Sequence, residues 1–513
     1  MGEARSGGAP LSATVPAMLP AVIPAVFPVP ALRVPVEFAG PGAGVAALTW
    51  GQREIWEAMV RQGWLCLGGT LPLAPGTTVE DVADELSYMM SRFQSMRTRL
   101  RFDADGNALQ ELFASGRTIL EVYDSGDDED GGVGVGEFAG SEETAAAVEA
   151  HYRTMVRDFE GEWPVRMAVV RHRGTPTHMV IVSCHLIADG AGIQLITQDV
   201  ESRTTAEPTG MQQLDLARWQ CSPAGQRVNE TSLRHWEKVL RSLSPRSLPG
   251  SDDPRQPRHW TGELRSPALK LAVPLIAERT GADSSSVFLA LYAIALGRTG
   301  VYSPAVIRPV ANNRFRPGLA TIVSNLAQAG ICALDVAGLT VDEAVGRARR
   351  AAMAAHKHAY FDPHGLTALI DRIARDAGPG HERWTCYDWT FFNDRRFEPG
   401  SAAEDGPVTP GRLGAARART TFHWTEKKEN PFEPLFLHVE DRDESVQVVV
   451  CADTHRMSPA RCEAMVRAME AAAVEAAFDP EAPTRVPPPP NPRPSKLPEQ
   501  KTGSDHIAAA VRA

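Results

Sequence analysis

Residues 179–184 read Met-Val-Ile-Val-Ser-Cys, an almost unbroken apolar run that ends at His185 and is followed by Asp189, Gly190 and Ile193-Gln-Leu-Ile-Thr. A run so uniformly apolar is a strand buried on both faces. Asp189-Gly190 is a turn signal, and a helix is expected over 193–200. A strand covered on both sides needs packed layers above and below it, which constrains the chain to a layered α/β fold. Further strands are expected at 165–171, 305–309, 387–393 and 445–451. Helices are expected at 52–62, 78–96, 284–297 and 458–477, where apolar side chains recur every three or four residues. A serine at 284, 285 or 286 is the expected cap of the third, and Ser458 of the fourth.

Strands and helices alternate on both sides of a Pro/Ser/Arg-rich stretch at 243–257, read as a linker. The expected organisation is therefore one α/β unit over 31–242 and a second over 258–484. Proline-rich tails expected to be disordered occupy 1–30 and 485–513. The first tail is apolar, but prolines at 16, 20, 24, 28, 30 and 35 forbid a continuous membrane helix. An acidic, glycine-rich stretch at 124–143 reads as a solvated loop.

Charge narrows the partners. The chain has 53 basic against 63 acidic side chains, a formal net charge of −10, which argues against nucleic-acid or anionic-membrane binding. Seven cysteines stand at 66, 184, 221, 332, 386, 451 and 462 with no CxxC pair. That excludes a zinc ribbon or redox dithiol and fits a reducing, cytoplasmic setting. His356, His358 and His364 lack an accompanying cysteine or carboxylate set and read as a surface helix and loop, not a metal site.

His185 is the residue most suited to chemistry. It emerges from the end of a buried strand beside a glycine turn and a helix start, and an imidazole can be neutral at pH 7. The same residues also fit a structural reading, with Asp189 as a helix N-cap and His185 as a satisfied buried histidine.

The segment Cys184-His185-Leu-Ile-Ala-Asp189-Gly190 resembles the HHxxxDG signature of condensation domains and chloramphenicol-acetyltransferase-like acyltransferases. Other segments match in the order this family requires. Leu48-Thr-Trp-Gly-Gln52-Arg-Glu-Ile-Trp56 is similar to its LTxxQxxxW opening. Arg92-Phe-Gln-Ser-Met-Arg97-Thr98-Arg-Leu100 is similar to RHxxLRTxF, with Phe93 for the histidine. Trp163-Pro-Val-Arg166 fits the strand entry, and Val310-Ala-Asn-Asn-Arg314 with Ile322-Val-Ser-Asn325-Leu resembles the GR…FVNxL region. The resemblance spans roughly 34–480.

The resemblance implies two acetyltransferase-like lobes forming a V around a central tunnel. It implies acyl transfer from a phosphopantetheine thioester on a carrier protein to an amine or hydroxyl, with no metal and no bound cofactor. His185 takes the catalytic position, and Gly190 leaves room for the thioester and stabilises the oxyanion. Asp189 and Arg314 form a structural ion pair. Cys184, Asn325, His423 and Trp424 are tunnel-lining candidates, and the 387–393 strand a candidate floor. Lys427 and Lys428 are read as a solvated loop or an attractor for the carrier. Cys184 replaces the first family histidine, which is generally structural. A nucleophilic Cys184 is disfavoured, because neighbours on a strand point to opposite faces. No carrier signature is visible after the domain, so a free-standing, monomeric condensation enzyme of specialised metabolism, served by a carrier in trans, is the leading expectation. An acyl-CoA-dependent acyltransferase and a silent condensation-like domain that recruits a carrier are the alternatives.

Overall fold

The computed structural model describes residues 28–488 except 127–139, 156, 205–209, 244–247, 249, 302–303, 378–388, 397–405 and 430–432. The first half contains strands β1 (Leu32–Ala39), β2 (Gly44–Ala47), β3 (Cys66–Pro72), β4 (Thr98–Phe102), β5 (Ala108–Leu112), β6 (Ser115–Asp124), β7 (Val165–His172) and β8 (Thr175–Cys184). Its helices are α1 (Trp50–Gln62), α2 (Val79–Arg92), α3 (Ser141–Thr154) and α4 (Gly190–Ser202). The main sheet runs β1-β6-β7-β8-β3, and β2-β5-β4 form a smaller one. Helices α5 (Gln213–Cys221) and α6 (Pro223–Arg241) lead to the second half. There follow β9 (His259–Ser266), α7 (Pro267–Thr280), α8 (Ser284–Arg298), β10 (Ala305–Ala311), β11 (Gln328–Ala329), β12 (Cys332–Leu334), α9 (Val341–Lys357) and α10 (Pro363–Ala377). The chain continues with β13 (Thr390–Asp394), α11 (Pro410–Ala418), β14 (Thr421–Lys428), β15 (Leu435–Arg442), β16 (Ser445–Asp453) and α12 (Pro459–Ala476). The second sheet runs β11-β10-β13-β15-β16-β9-β14, with β12 also beside β10.

The apolar run 179–184 is explained by what covers β8. Met179 and Ile181 pack into a cluster with Leu86 and Met90 of α2. Val180 and Val182 pack on the other face with Ala145 and Val148 of α3. Alternate residues thus feed two cores, which removes the polar alternation of a half-exposed strand. In the second half, α8 is buried from Ser286 to Gly297 on every face. This is the pattern of a helix enclosed by other elements.

Several local expectations shift. The helix expected at 78–96 stops at Arg92, because Phe93 is extended and a 3₁₀ turn follows over Gln94–Arg97. The apolar spacing continued past the helix end because Phe93 and Met96 still bury themselves in the same cluster. Asp283, not a serine, caps α8 by accepting from the Ser286 N–H at 2.8 Å. Ser458 occupies the N-cap position of α12 without making a cap bond; its hydroxyl bonds Asp252 instead. The acidic stretch ends in helix: Glu142 and Glu143 lie in the first turn of α3, where carboxylates suit the helix dipole. Residues 127–139 lie outside the described residues.

The described part of 243–257 is irregular, and Leu248 is buried in the second core. Val486 is buried in that core too, so the packed chain extends past 484. Residues 1–27 and 489–513, most of the two expected tails, lie outside the described residues. Helix α6 falls within 31–242, yet its Trp236 and Leu240 pack with Phe361, Leu366 and Ile370 of the second half. The halves also meet along α1. Arg53 pairs with Asp362 at 2.5 Å, Glu54 with Arg308 at 3.0 Å, and Gln62 bonds Glu433 at 3.0 Å. Among the described residues no helix is long and apolar enough to cross a membrane.

Candidate active site

His185 follows directly on β8, and its N–H still donates to the Leu65 carbonyl at 2.9 Å, extending the pairing with the β3 side. The chain then turns. Ile187 N–H returns to the Cys184 carbonyl at 3.1 Å, and Asp189 caps α4 by accepting from Gly192 N–H at 2.8 Å. The loop is held from below by α1. Thr49 and Gln52 form a capping box there, and Gln52 Nε2 also donates to the Leu186 carbonyl at 3.4 Å.

Asp189 serves as both cap and ion-pair partner. Arg314 Nη1 lies 2.7 Å from Oδ1 and 2.8 Å from Oδ2. Oδ2 also accepts from the N–H groups of Leu326 and Ala327, each at 2.9 Å. Arg314 Nη2 in turn donates to the carbonyls of Ile322 and Ser324, both at 3.1 Å. The two side chains are 9% and 4% exposed for Arg314 and Asp189, so this charge pair is dry. It clamps the loop of the first half to residues 314–327 of the second.

That clamp brings Asn325 to His185. Asn325 Nδ2 donates to the His185 carbonyl at 3.1 Å and lies 3.2 Å from ring Nδ1. Asn325 Oδ1 is buried without a partner among the described residues. Gly51 of α1 backs this contact, because a methyl there would run into the Asn325 carbonyl. The ring also lies against its own carbonyl and that of Ala188.

Burial pushes the His185 pKa below the ordinary histidine value. Its own carbonyl, the Asp189 charge and the Ala188 carbonyl oppose that shift, and the Arg395 charge reinforces it. The imidazole is therefore neutral at pH 7. The acid limb of the pH profile of kcat/KM is expected to be centred below 6.5. A limb centred above about 7 would contradict that environment. The same shift lowers stability as pH falls through 6.5, because the unfolded chain takes up a proton that the folded one refuses.

Gly190 is the first residue of α4 and is exposed. Its N–H belongs to the first turn, whose donors have no acceptor within the helix. An anionic oxygen would be favoured there.

Cys184 does not line a tunnel. It is 1% exposed, packed with Leu48, Met59, Leu100 and Leu186, and burial pushes its thiol up to about 11. It is neither accessible nor ionised, which removes the nucleophile reading. In a native alkylation experiment at pH 8, exposed Cys221 is expected to label and Cys184 to stay unmodified until the chain unfolds, as read by peptide mass mapping. Early labelling of Cys184 would contradict its burial.

His423 and Trp424 lie on β14, the outer edge of the second sheet. They point to opposite faces, as strand neighbours must. Trp424 is half-buried on the side of the second core and contacts Trp260 and Phe422, with ring centroids 5.3 Å and 5.1 Å away. His423 is exposed and shares a transverse row with Glu263, Val449 and His438. Three strand spacings put it about 14 Å from His438. Lys427 lies in the same strand with its ammonium 3.9 Å from the Trp260 ring centre, not in a loop. Of the expected floor strand, 390–393 belong to β13, with Phe391 beside Phe436, while 387–388 lie outside the described residues.

Arg395 was not singled out by sequence. It lies close enough to affect His185, and its Nη2 is 3.3 Å from His438 Nε2. Its one visible signal is the charged Asp394-Arg395-Arg396 that ends an aromatic strand. His358, from the histidine-rich 356–364 segment, stacks on His235 with ring centroids 4.6 Å apart.

A family model described as Condensation domain matches residues 69–367, more than half of the chain. The chain is 24% identical over 304 residues to nonribosomal peptide synthetase kk1B of Curvularia clavata. That match covers 55% of this chain and 2% of the synthetase, so the chain spans a very small part of that relative's length. Among solved structures, it is similar to the X-domain from teicoplanin biosynthesis, with a TM-score of 0.65 at 16% identity, covering 88% of this chain and 99% of that one. The condensation domain that mediates chain release from the enacyloxin polyketide synthase gives a TM-score of 0.58 at 19% identity, covering 85% and 82%. At such identities the likeness shows the fold, two chloramphenicol-acetyltransferase-like lobes.

Proposed function

The chain belongs to the condensation-domain family, and from that premise we propose that it transfers an acyl group from a carrier-protein thioester to an amine or hydroxyl acceptor, with His185 as the catalytic residue. The observation that carries this reading is the placement of His185 directly after β8, with Asn325 and the Asp189–Arg314 pair closed on its loop and with burial that favours the neutral imidazole. In the proposed reaction the acceptor nitrogen or oxygen attacks the thioester carbonyl while the His185 imidazole takes its proton. The N–H of Gly190, at the start of α4, favours the oxyanion that forms. Collapse breaks the C–S bond, and the proton passes from His185 to the leaving thiolate of phosphopantetheine. The products are an amide or ester and a free thiol. Asp189 takes no part in the proton transfer; Arg314 and three backbone N–H groups occupy its carboxylate. The carrier acts in trans as a separate protein in this proposal, within a specialised-metabolite pathway.

The test is intact-protein mass spectrometry on acyl-loaded carrier proteins, the matching acyl-CoAs and mixed amine and alcohol acceptors. Loss of acyl from a carrier with a matching gain on an acceptor is the expected result and identifies the bond. Equal transfer from acyl-CoA without carrier would replace the donor assignment. No transfer from any donor, with a carrier still bound, would replace catalysis by recruitment.

A further inference from the structure

Two of the described cysteines face each other across the strand pair that ends at His185. In the β3–β8 register Cys66 stands directly opposite Cys184. Partners across a ladder share a face. Val180, Val182 and Cys184 alternate onto one face of β8. That face is packed on α3, where Val180 and Val182 meet Tyr152, and Cys66 packs against the same cluster. The two sulfurs are near enough that charge on Cys66 acts on the Cys184 thiol, and the Arg157 guanidinium acts on both.

The pair is of the non-hydrogen-bonded kind. The Cys184 N–H points away from β3, to the Pro164 carbonyl at 2.7 Å, and the bond to the β3 side is made by the next residue, from His185 N–H to the Leu65 carbonyl. Such a pair brings its Cα atoms to about 4.5 Å and its Cβ atoms to about 4.5–5.5 Å. A disulfide has Cα atoms about 4.4–6.8 Å apart and Cβ atoms about 3.5–4.5 Å apart. The opposed residues meet the first requirement and stand at the edge of the second, so a small approach of the strands closes the bond.

The two sulfurs differ in access. Cys66 is half-buried, and its Sγ accepts from Arg153 Nη1 at 3.1 Å. Burial raises its pKa, and the Arg153 and Arg157 charges oppose that rise. Cys184 is 1% exposed. An oxidant from solvent therefore meets Cys66 first, and a sulfenic acid formed there has the Cys184 thiol directly opposite.

We propose that Cys66 and Cys184 are a modification site, forming a reversible disulfide when the protein meets a peroxide. In the first step the Cys66 sulfur attacks one peroxide oxygen, the O–O bond breaks and water leaves, giving Cys66 sulfenic acid. In the second the Cys184 sulfur attacks the Cys66 sulfur, the S–O bond breaks, and the Cys184 proton leaves in a second water. The two thiols are oxidised and one peroxide is reduced. Cys184 needs no solvent access for its step, because the electrophile is held beside it. The link is anchored one residue before His185, so it ties to β3 the strand end that presents the imidazole.

In the test the reduced, native full chain is incubated with hydrogen peroxide, denatured in excess N-ethylmaleimide, and mapped by mass spectrometry without reduction. The expected result is a peptide pair joined through Cys66 and Cys184, lighter by two hydrogen atoms than the free peptides and separated by dithiothreitol. In Cys184→Ala, Cys66 is expected to stop at the sulfenic acid, trapped by dimedone. In Cys66→Ser, Cys184 is expected to stay a free thiol. Cys221→Ser should leave the link unchanged. If Cys184→Ala does not fold, the wild type and Cys66→Ser still decide. Cys66 carried to sulfinic acid while Cys184 is recovered alkylated would overturn the proposal. So would a link that forms only after denaturation, or both thiols recovered intact while exposed Cys221 is oxidised.

Discussion

Replacing His185 with alanine is expected to reduce acyl transfer by about 100- to 10,000-fold, the usual contribution of a positioned general base. The melting temperature should change little, because the His185 main-chain links to Leu65 and Asn325 survive the substitution. Rates measured with one acyl-carrier and acceptor pair, beside a thermal melt, check this. A drop in rate with an unchanged melt supports catalysis by the imidazole. Transfer within a few-fold of wild type would mean that the chemistry runs without it. Asn325→Ala separates positioning from chemistry. It removes the amide 3.2 Å from Nδ1 but leaves the imidazole in place, so kcat should fall less than in His185→Ala while the acid limb of the pH profile moves.

Asp189→Ala is expected to lose about 3–5 kcal/mol of stability, the cost of orphaning one member of a buried ion pair. The carboxylate accepts from Arg314, Gly192, Leu326 and Ala327, and its removal leaves a nearly dry guanidinium bonded only to carbonyls. Arg314→Ala should cost less, because Asp189 keeps three backbone N–H partners and the start of α4. Chemical denaturation of the two variants gives the comparison. An unchanged midpoint in Asp189→Ala would show that the clamp between the halves does not stabilise the fold. Activity should fall in both variants, since Leu326 and Ala327 directly follow Asn325, the residue that meets His185.

Much of the site was legible because its local parts are local. Asp189 caps α4 and β8 ends at Cys184, directly before His185, both through contacts within a few residues, whereas the Thr49–Gln52 cap that starts α1 at Trp50, two residues before the expected 52, was not read. The expectations that moved were those in which a neighbour competes for a side chain. Ser458 bonds Asp252 instead of its own helix, Asp283 outdoes the serines that follow it, and Phe93 leaves α2 to enter the core. The expectation for His423 and Trp424 as a pair failed on the two-residue repeat of a strand, which sends one to each face of β14.

By itself, then, the sequence determined the strand–turn–helix that carries His185, because a doubly covered strand, a capping carboxylate and a glycine act on their immediate neighbours. It supplied Arg314 and Asn325 only through resemblance to a family. Tertiary structure alone decided that Arg314, 125 residues along the chain, closes on Asp189, and that Asn325, 140 residues away, meets the imidazole. It alone stacked Arg99 on the Trp163 indole and Arg157 on that of Trp64. The physical reason is range. Capping and strand burial depend on residues a few positions apart, whereas a buried charge finds its partner, or lacks one, only after the two halves of the chain have packed.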